Sequence, residues 1–261
     1  MIHGILIMNK AGIPIYRDFW IEQLKELIGS ESTVLVAGFL NALSMFANQF
    51  HWEPSKIHFR DNKYRLDNFE IMFHEEGPFV TVIFLDTYHF RGQVQSKINL
   101  IFDEVLVKYL KKMLSEQLVE LSFEDKKLIR EVFVNYNEKS MIMEHIKQLN
   151  KFGFDFVSNP DIKGIFILSL DGELLWNKQL KKEEIEYLLE KVQAAELGAF
   201  KEGSLFNMTL DKMGDPVIIS ETRSDQVPFI YGLVCDINSS LGPIAAELDK
   251  NLNKIFINSK K

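Results

Sequence analysis

The chain has one cysteine, Cys235, among 261 residues. A single thiol closes no internal disulfide, and no Cys/His run has zinc-ligand spacing. In "YGLVCDI" it reads as a small hydrophobe on a buried strand, in keeping with a reducing compartment. Long apolar runs are also missing. None approaches the ~20 residues of a membrane span. The apolar N-terminus is broken by His3, Asn9 and Lys10, with no charged leader ahead of it. The expectation is a cytoplasmic protein that meets membranes only peripherally or through a recruiting partner. Nor is there a basic excess. Thirty Lys and Arg face 37 Asp and Glu, for a net charge of −7. The charges are scattered, so no nucleic acid is expected as a partner.

The motifs of common chemistry are absent too. There is no G-x-x-x-x-G-K-[ST] and no G-x-G-x-x-G, so the chain is not expected to be a GTPase itself. The nucleophile elbow G-x-S-x-G is missing. Ile2 follows Met1, so no Ser, Thr or Cys would become an N-terminal nucleophile. The six histidines (His3, His51, His58, His74, His89 and His145) form no H-x-x-x-H or H-E-x-x-H pair. His58 and His74 fall on strands flanking a turn, where they could approach each other. Asp61 with Asn62 and Lys63, and Asp211 with Gly214 and Asp215, are better explained as hairpin turns than as acid-base or metal pairs. Basic groups in "KYLKKML" and "KQLKKEE" read as solvated helix faces. The reading is therefore not an enzyme: no catalytic residue, no cofactor and no metal.

What is present is ample apolar material, 46% of residues with 21 Phe, and a repeat. "MIHGILIMNKAGIPIYRDFW" returns 160 positions later as "DIKGIFILSLDGELLWNKQL". Ile2, Gly4, Ile5, Ile7 and Gly12 meet Ile162, Gly164, Ile165, Ile167 and Gly172, and Tyr16 meets Trp176. Each stretch reads as a hairpin, the second turning on Asp171-Gly172. Pro14 removes a backbone donor and belongs on an edge or at a bulge. A helix follows each hairpin, then three strands, then another helix. The order β-β-α-β-β-β-α predicts an α/β (α+β) chain with two units. Each would be a five-stranded antiparallel sheet with helices on its faces. The expected boundaries are 1–115 and 157–261. Residues 116–156 lack proline and read as a helical connector.

The two hairpin-following helices differ. In the second, Ile185, Leu188, Leu189, Val192 and Ala195 form one stripe, enough for one sheet. In the first, Leu35, Phe39, Ala42, Leu43, Phe46 and Phe50 form a stripe. Val36, Leu40 and Ala47 widen it on one side, Val34 and Met45 on the other, to an arc of roughly 240°. A helix covering one sheet does not need that width. The expectation is that Val36, Leu40 and Ala47, with Val34 and Met45, form a protein interface. Its occupant would be a second subunit, a partner or the second copy of the fold.

The opening stretch resembles the start of longin domains. It is similar to those of clathrin-adaptor small and medium chains, where a strand, an Asn, a Gly turn and a second strand follow a Met-Ile start. The likeness covers about the first 115 residues. Residues near 160–257 resemble a longin-like or roadblock-like unit more loosely. The chain has neither the coiled coil and anchor of longin SNAREs nor the cargo domain of adaptor medium chains. What remains is similar to tandem-longin or longin-roadblock assemblies. That resemblance implies a non-enzymatic scaffold in vesicle trafficking that binds a small GTPase, with nucleotide exchange as its activity. It implies homodimers or heteromeric longin/roadblock partners. Two alternatives remain: an adaptor or coat-type subunit without GTPase contact, and a small-molecule sensor with a pocket beneath the helices.

Overall fold

The computed structural model describes residues 2–27, 32–49, 57–59, 69–86, 91–114, 119–194, 207–221 and 228–257. Two compact units emerge, the first made of residues 1–87 and 94–134, the second chiefly of Asn135–Lys261. Each holds an antiparallel sheet with helices on both faces, so the chain is α+β.

In the first unit β1 (Ile2–Asn9) and β2 (Pro14–Phe19) form the hairpin. Then come α1 (Glu22–Leu27), α2 (Ser32–Gln49), β3 (Ile57–Phe59), β4 (Phe69–Glu76), β5 (Phe79–Asp86) and α3 (Arg91–Glu104). A 3-10 turn, α4 (Leu110–Leu114) and α5 (Phe123–Phe133) follow. The second unit begins with α6 (Tyr136–Phe156). It continues with β6 (Ile162–Leu168), β7 (Leu174–Lys178), α7 (Lys182–Ala194), β8 (Asn207–Leu210), β9 (Pro216–Glu221), β10 (Ile230–Cys235) and α8 (Leu241–Ile257). The strand orders are β2-β1-β5-β4-β3 and β7-β6-β10-β9-β8. They are one topology written twice.

The equivalence extends to register. In the first hairpin Ile7 faces Tyr16 and Met8 faces Pro14, which leaves Ile15 as an extra residue. In the second Ile167 faces Trp176 and Leu168 faces Leu174, which leaves Leu175 extra. Both bulges lie on edge strands, where an added residue twists the edge away from other chains. The turns agree as well. Asn9 N donates to Ile13 O and Gly12 N to Asn9 O; Ser169 N donates to Glu173 O and Gly172 N to Ser169 O. Gly12 and Gly172 sit at φ 78° and 92°, where a side chain would be strained. Gly4 and Gly164 allow a close crossing. A Cβ on Gly4 would lie 2.5 Å from Phe19 Cδ1, and one on Gly164 2.5 Å from Leu180 Cγ.

Burial explains why the central strands do not alternate. Ile5, Leu6, Ile7 and Met8 are all fully buried because helices cover both faces of the sheet. On one face Ile5, Ile7, Ile83 and Leu85 pack with Val94, Ile98, Ile129 and Phe133 of α3 and α5. On the other Leu6, Met8, Val82 and Phe84 pack with Leu24 and Leu40 of α1 and α2. The second sheet repeats the plan. Ile165, Ile167 and Leu233 meet α6 and α8, and Phe166, Leu168 and Val234 meet α7. The stretch expected as a connector is helical, and its helices belong to different cores. Ile129 and Phe133 of α5 join the first, while Ile142, Leu149 and Phe156 of α6 join the second. Amphipathic helices of this length gain their stability from such docking.

The docking of α5 depends on Asp125. Tyr109 Oη donates to its Oδ2 at 2.7 Å, Lys108 Nζ to its Oδ1 at 2.9 Å and Ser122 Oγ to its Oδ2 at 2.8 Å. Ser122 Oγ in turn caps α5 by accepting from Asp125 N. The Tyr109 bond leads in holding the carboxyl down at about 2, against the opposing effect of burial and with help from Lys108 and Ser122. A carboxyl whose folded pKa is depressed stabilises the fold above its unfolded value of about 3.9, and that contribution is lost as pH falls towards the folded value. Asp125→Asn should therefore cost about 2 kcal/mol at pH 7. In urea titrations across a pH series, the difference from wild type should shrink between about pH 4 and pH 2.

Candidate interaction surface

Helix α2 is 18 residues long and holds no Asp, Glu, Lys or Arg. Its inner face is defined by Thr33, Ala37 and Leu40, all buried. Small residues are needed there because the β1–β2 turn crosses closely. A Cβ on Gly12 would lie 3.1 Å from Asn41 Cβ and 3.5 Å from Ala37 O. Arg17 of β2 donates to Thr33 Oγ1, which fixes the first turn of the helix on the hairpin.

This orientation divides the five residues expected at an interface. Leu40 is 1% exposed and packs with Leu6, Met8 and Val82, and Val36 is half-buried against the same cluster. Both residues face their own sheet, so neither stands on the outward face assigned to a partner. Of the larger stripe, Leu35 is 75% and Phe39 55% exposed, while Leu43 is partly buried. Val34 and Met45, also expected at an interface, are exposed beside them. The side chains of Ala47 and Phe46 lie outside the described residues. The equivalent helix α7 carries no such patch among its described residues. Ile185, Leu188 and Leu189 are buried, while Glu183 and Glu184 are exposed. Exposed apolar patches of this kind on one helix mark interaction sites.

The remaining polar groups hold the fold together. Asn135, at the start of the second unit, adopts a left-handed conformation at φ 55°. Its Nδ2 donates to Glu173 Oε2 at 2.9 Å and to Asp171 Oδ1 at 3.1 Å. Lys139 Nζ lies 2.9 Å from Glu173 Oε1. These bonds tie the start of α6 to the β6–β7 turn. Asp211 Oδ1 accepts from Met213 N and Asp215 N, both at 2.8 Å, around Gly214 at φ 86°. That is the geometry of a side-chain-mimicked turn. Lys163 donates to Asp215, the largest of the influences that raise the pKa of Lys163. Asp61, Asn62 and Lys63 lie outside the described residues, as do His51 and His89.

The strand register keeps His58 and His74 apart, with His58 opposite Glu70 and His74 opposite Thr81. His74 Nε2 instead lies 3.3 Å from Glu76 Oε2, and its Nδ1 3.1 Å from Gln95 Nε2. Cys235 is fully buried, and burial, then Asp161, pushes its thiol up to about 11. Such a thiol is not a nucleophile at neutral pH. Among the described residues, no group of three or more His, Cys, Asp or Glu could hold a metal ion. No helix among them is long and apolar enough to cross a membrane.

These features describe an α+β protein of two like units, one of which displays an uncharged helix face. No protein-family profile matches the chain, and no curated protein matches it. Sequence reasoning found the surplus of apolar residues on α2 but placed Val36 and Leu40, which face the sheet, together with the exposed Val34 and Met45. The signal that could have placed it was the pairing of Gly12 in the hairpin turn with the small Ala37 of the helix, which marks a close crossing.

Proposed function

We propose that the chain is a non-enzymatic scaffold built from two longin-like or roadblock-like units, which binds a small GTPase and promotes its nucleotide exchange in membrane trafficking. The observation that carries this reading is the outward face of α2, where Leu35 and Phe39 stand exposed on a helix without charge. The resemblance of the opening hairpin to longin domains supports the choice of partner. The mechanism needs no catalytic side chain. A surface that binds the nucleotide-free arrangement of the switch regions best shifts the GTPase towards it and speeds release. Recruitment to membranes would come through that partner.

The test is association of the full chain with small GTPases in GDP-bound, GTP-bound and nucleotide-free forms, with fluorescent-nucleotide release followed in parallel. Preference for the nucleotide-free form with faster release, both abolished by Phe39→Asp, is the expected result. Absence of binding to every GTPase would sink the reading. A second reading, an adaptor or coat-type subunit, is favoured by the lack of any charge on α2, since permanent interfaces are the more apolar ones. It requires a constitutive subunit on the same face.

A further inference from the structure

Helices α5 and α6 hold like positions in their own units and differ on the outside. Tyr16 Oη of β2 donates to Lys126 O of α5 at 3.4 Å. Trp176 Nε1, at the equivalent place on β7, donates to Asn150 Oδ1 of α6 at 3.1 Å. Each helix thus lies beside the hairpin edge of its sheet. On α5 the cations are matched: Lys126 lies 3.7 Å from Glu120, Lys127 3.6 Å from Glu131 and Arg130 3.6 Å from Asp18. On α6 Lys139 is committed to Glu173. Lys147 and Lys151 are exposed, and neither pairs with a carboxylate among the described residues.

Exposed apolar side chains stand in line with these lysines. The inner face of α6 buries Ile142, Leu149, Gly153 and Phe156. Outside, Tyr136 is 53%, Met143 67% and Phe154 68% exposed. At about 100° per residue, these three and Lys147 fall within an arc of about 40°, along about 27 Å of helix. Lys178 Nζ of β7 lies 5.8 Å from the centroid of the Phe154 ring and adds a further cation. The exposed acids of α6, Glu144 and Asp155, stand about 80–100° away, on the flank remote from β7. We infer that this stripe rests on an anionic lipid surface, with Tyr136, Met143 and Phe154 entering the headgroup layer and Lys147, Lys151 and Lys178 meeting its phosphates and carboxylates.

Charge and layout together select that occupant. The chain carries a net charge of −7, so a positive stripe is not a general property of its surface. Its partner is therefore negative, and it accepts single apolar side chains spread along a line. A protein interface instead gathers its anchors into a central patch closed off from water. Helices that lie in a bilayer surface combine lysine with aromatic and other apolar residues in the arrangement seen here. The lysine stems lie along apolar material while the ammonium groups stay among the headgroups. Juxtaposed lysines are drawn to the negative potential of such a surface. The contact adds direct lipid attachment to recruitment by a partner. It does not rest on the GTPase reading, which concerns α2.

The experiment is sedimentation of the full chain with vesicles of phosphatidylcholine, alone or with about 30% phosphatidylserine. Binding is expected to the mixed vesicles only, and it should weaken between about 0.05 and 0.5 M salt as the charges are screened. One lysine at such a surface is worth about fivefold, so Lys147→Gln with Lys151→Gln should lower partitioning at least about tenfold. Met143→Ser with Phe154→Ser should lower it too, with the salt dependence unchanged. All four side chains are exposed, so far-UV circular dichroism and the melting temperature should not move. A polarity-sensitive dye on Met143→Cys should shift to shorter wavelength on the mixed vesicles, while the buried Cys235 takes no label. Failure to bind the mixed vesicles overturns the inference. So does equal binding to neutral vesicles, binding that survives in the paired lysine variant, or a dye that stays in water. Capture on immobilised polyglutamate without vesicle binding assigns the stripe to an acidic protein and overturns it as well.

Discussion

Leu40→Asp should unfold the first unit, whereas Phe39→Asp, one residue away, should leave its stability within about 1 kcal/mol of wild type. The difference comes from which way α2 is turned. Leu40 is fully buried among Leu6, Met8 and Val82, on the face shared with Ala37. Truncating a leucine in such a place costs about 2–5 kcal/mol through lost transfer energy and the cavity left behind. A carboxylate there adds the cost of burying a charge without a partner. The sum is comparable with the whole stability of an ordinary domain, about 5–15 kcal/mol. Phe39 is more than half exposed, so a carboxylate there remains in water. Hydrogen exchange resolved by residue is the measurement. Leu40→Asp should strip protection from β1 and β5, and Phe39→Asp should leave it intact while abolishing partner binding. If both substitutions unfold the unit equally, the outward assignment of Leu35 and Phe39 is wrong.

Gly232→Val should destabilise the second unit by about 3 kcal/mol, and adding Phe166→Leu should recover most of that loss. Gly232 lies on β10 directly opposite Phe166 of β6. A Cβ at Gly232 would sit 2.2 Å from Phe166 Cζ, far inside contact distance. The ring therefore occupies the space that a side chain at 232 would need. The equivalent pair in the first sheet is Leu6 opposite Val82, both fully buried. The two units thus fill one site with different partitions of volume, leucine against valine and phenylalanine against glycine. The double variant writes the first unit's pair into the second. Urea titrations of wild type, both single variants and the double variant close the cycle. Contacting residues of this kind couple by about 0.5–3 kcal/mol, and an additive cycle would mean that the ring does not fill the space over Gly232.

How much of this was legible beforehand can be traced residue by residue. The hairpin pattern around Gly4, Gly12, Gly164 and Gly172 was readable because turn chemistry and close backbone crossings demand glycine locally. The strand-helix order followed from periodicity, and the turn at Asp211–Asp215 from its Asp and Gly content. The short helix α1 with buried Leu24 was not foreseen, since six residues carry too little periodicity to read. Nor was the place of β8 at the end of its sheet, because edge status depends on which strands end a sheet, and strand order is not written in any one segment.

By itself the sequence determined two antiparallel units, the repeat that relates them, and a helix with more apolar surface than one sheet can cover. These are local or periodic properties, set by backbone preferences and by the spacing of apolar residues. Only the tertiary structure decided which side of α2 is buried and to which core α5 and α6 belong. A wheel with apolar residues on most of its circumference has no preferred orientation of its own. The choice falls to packing, here to the β1–β2 turn, whose close approach at Gly12 brings it against Ala37 and Asn41 and leaves Leu35 and Phe39 facing outward.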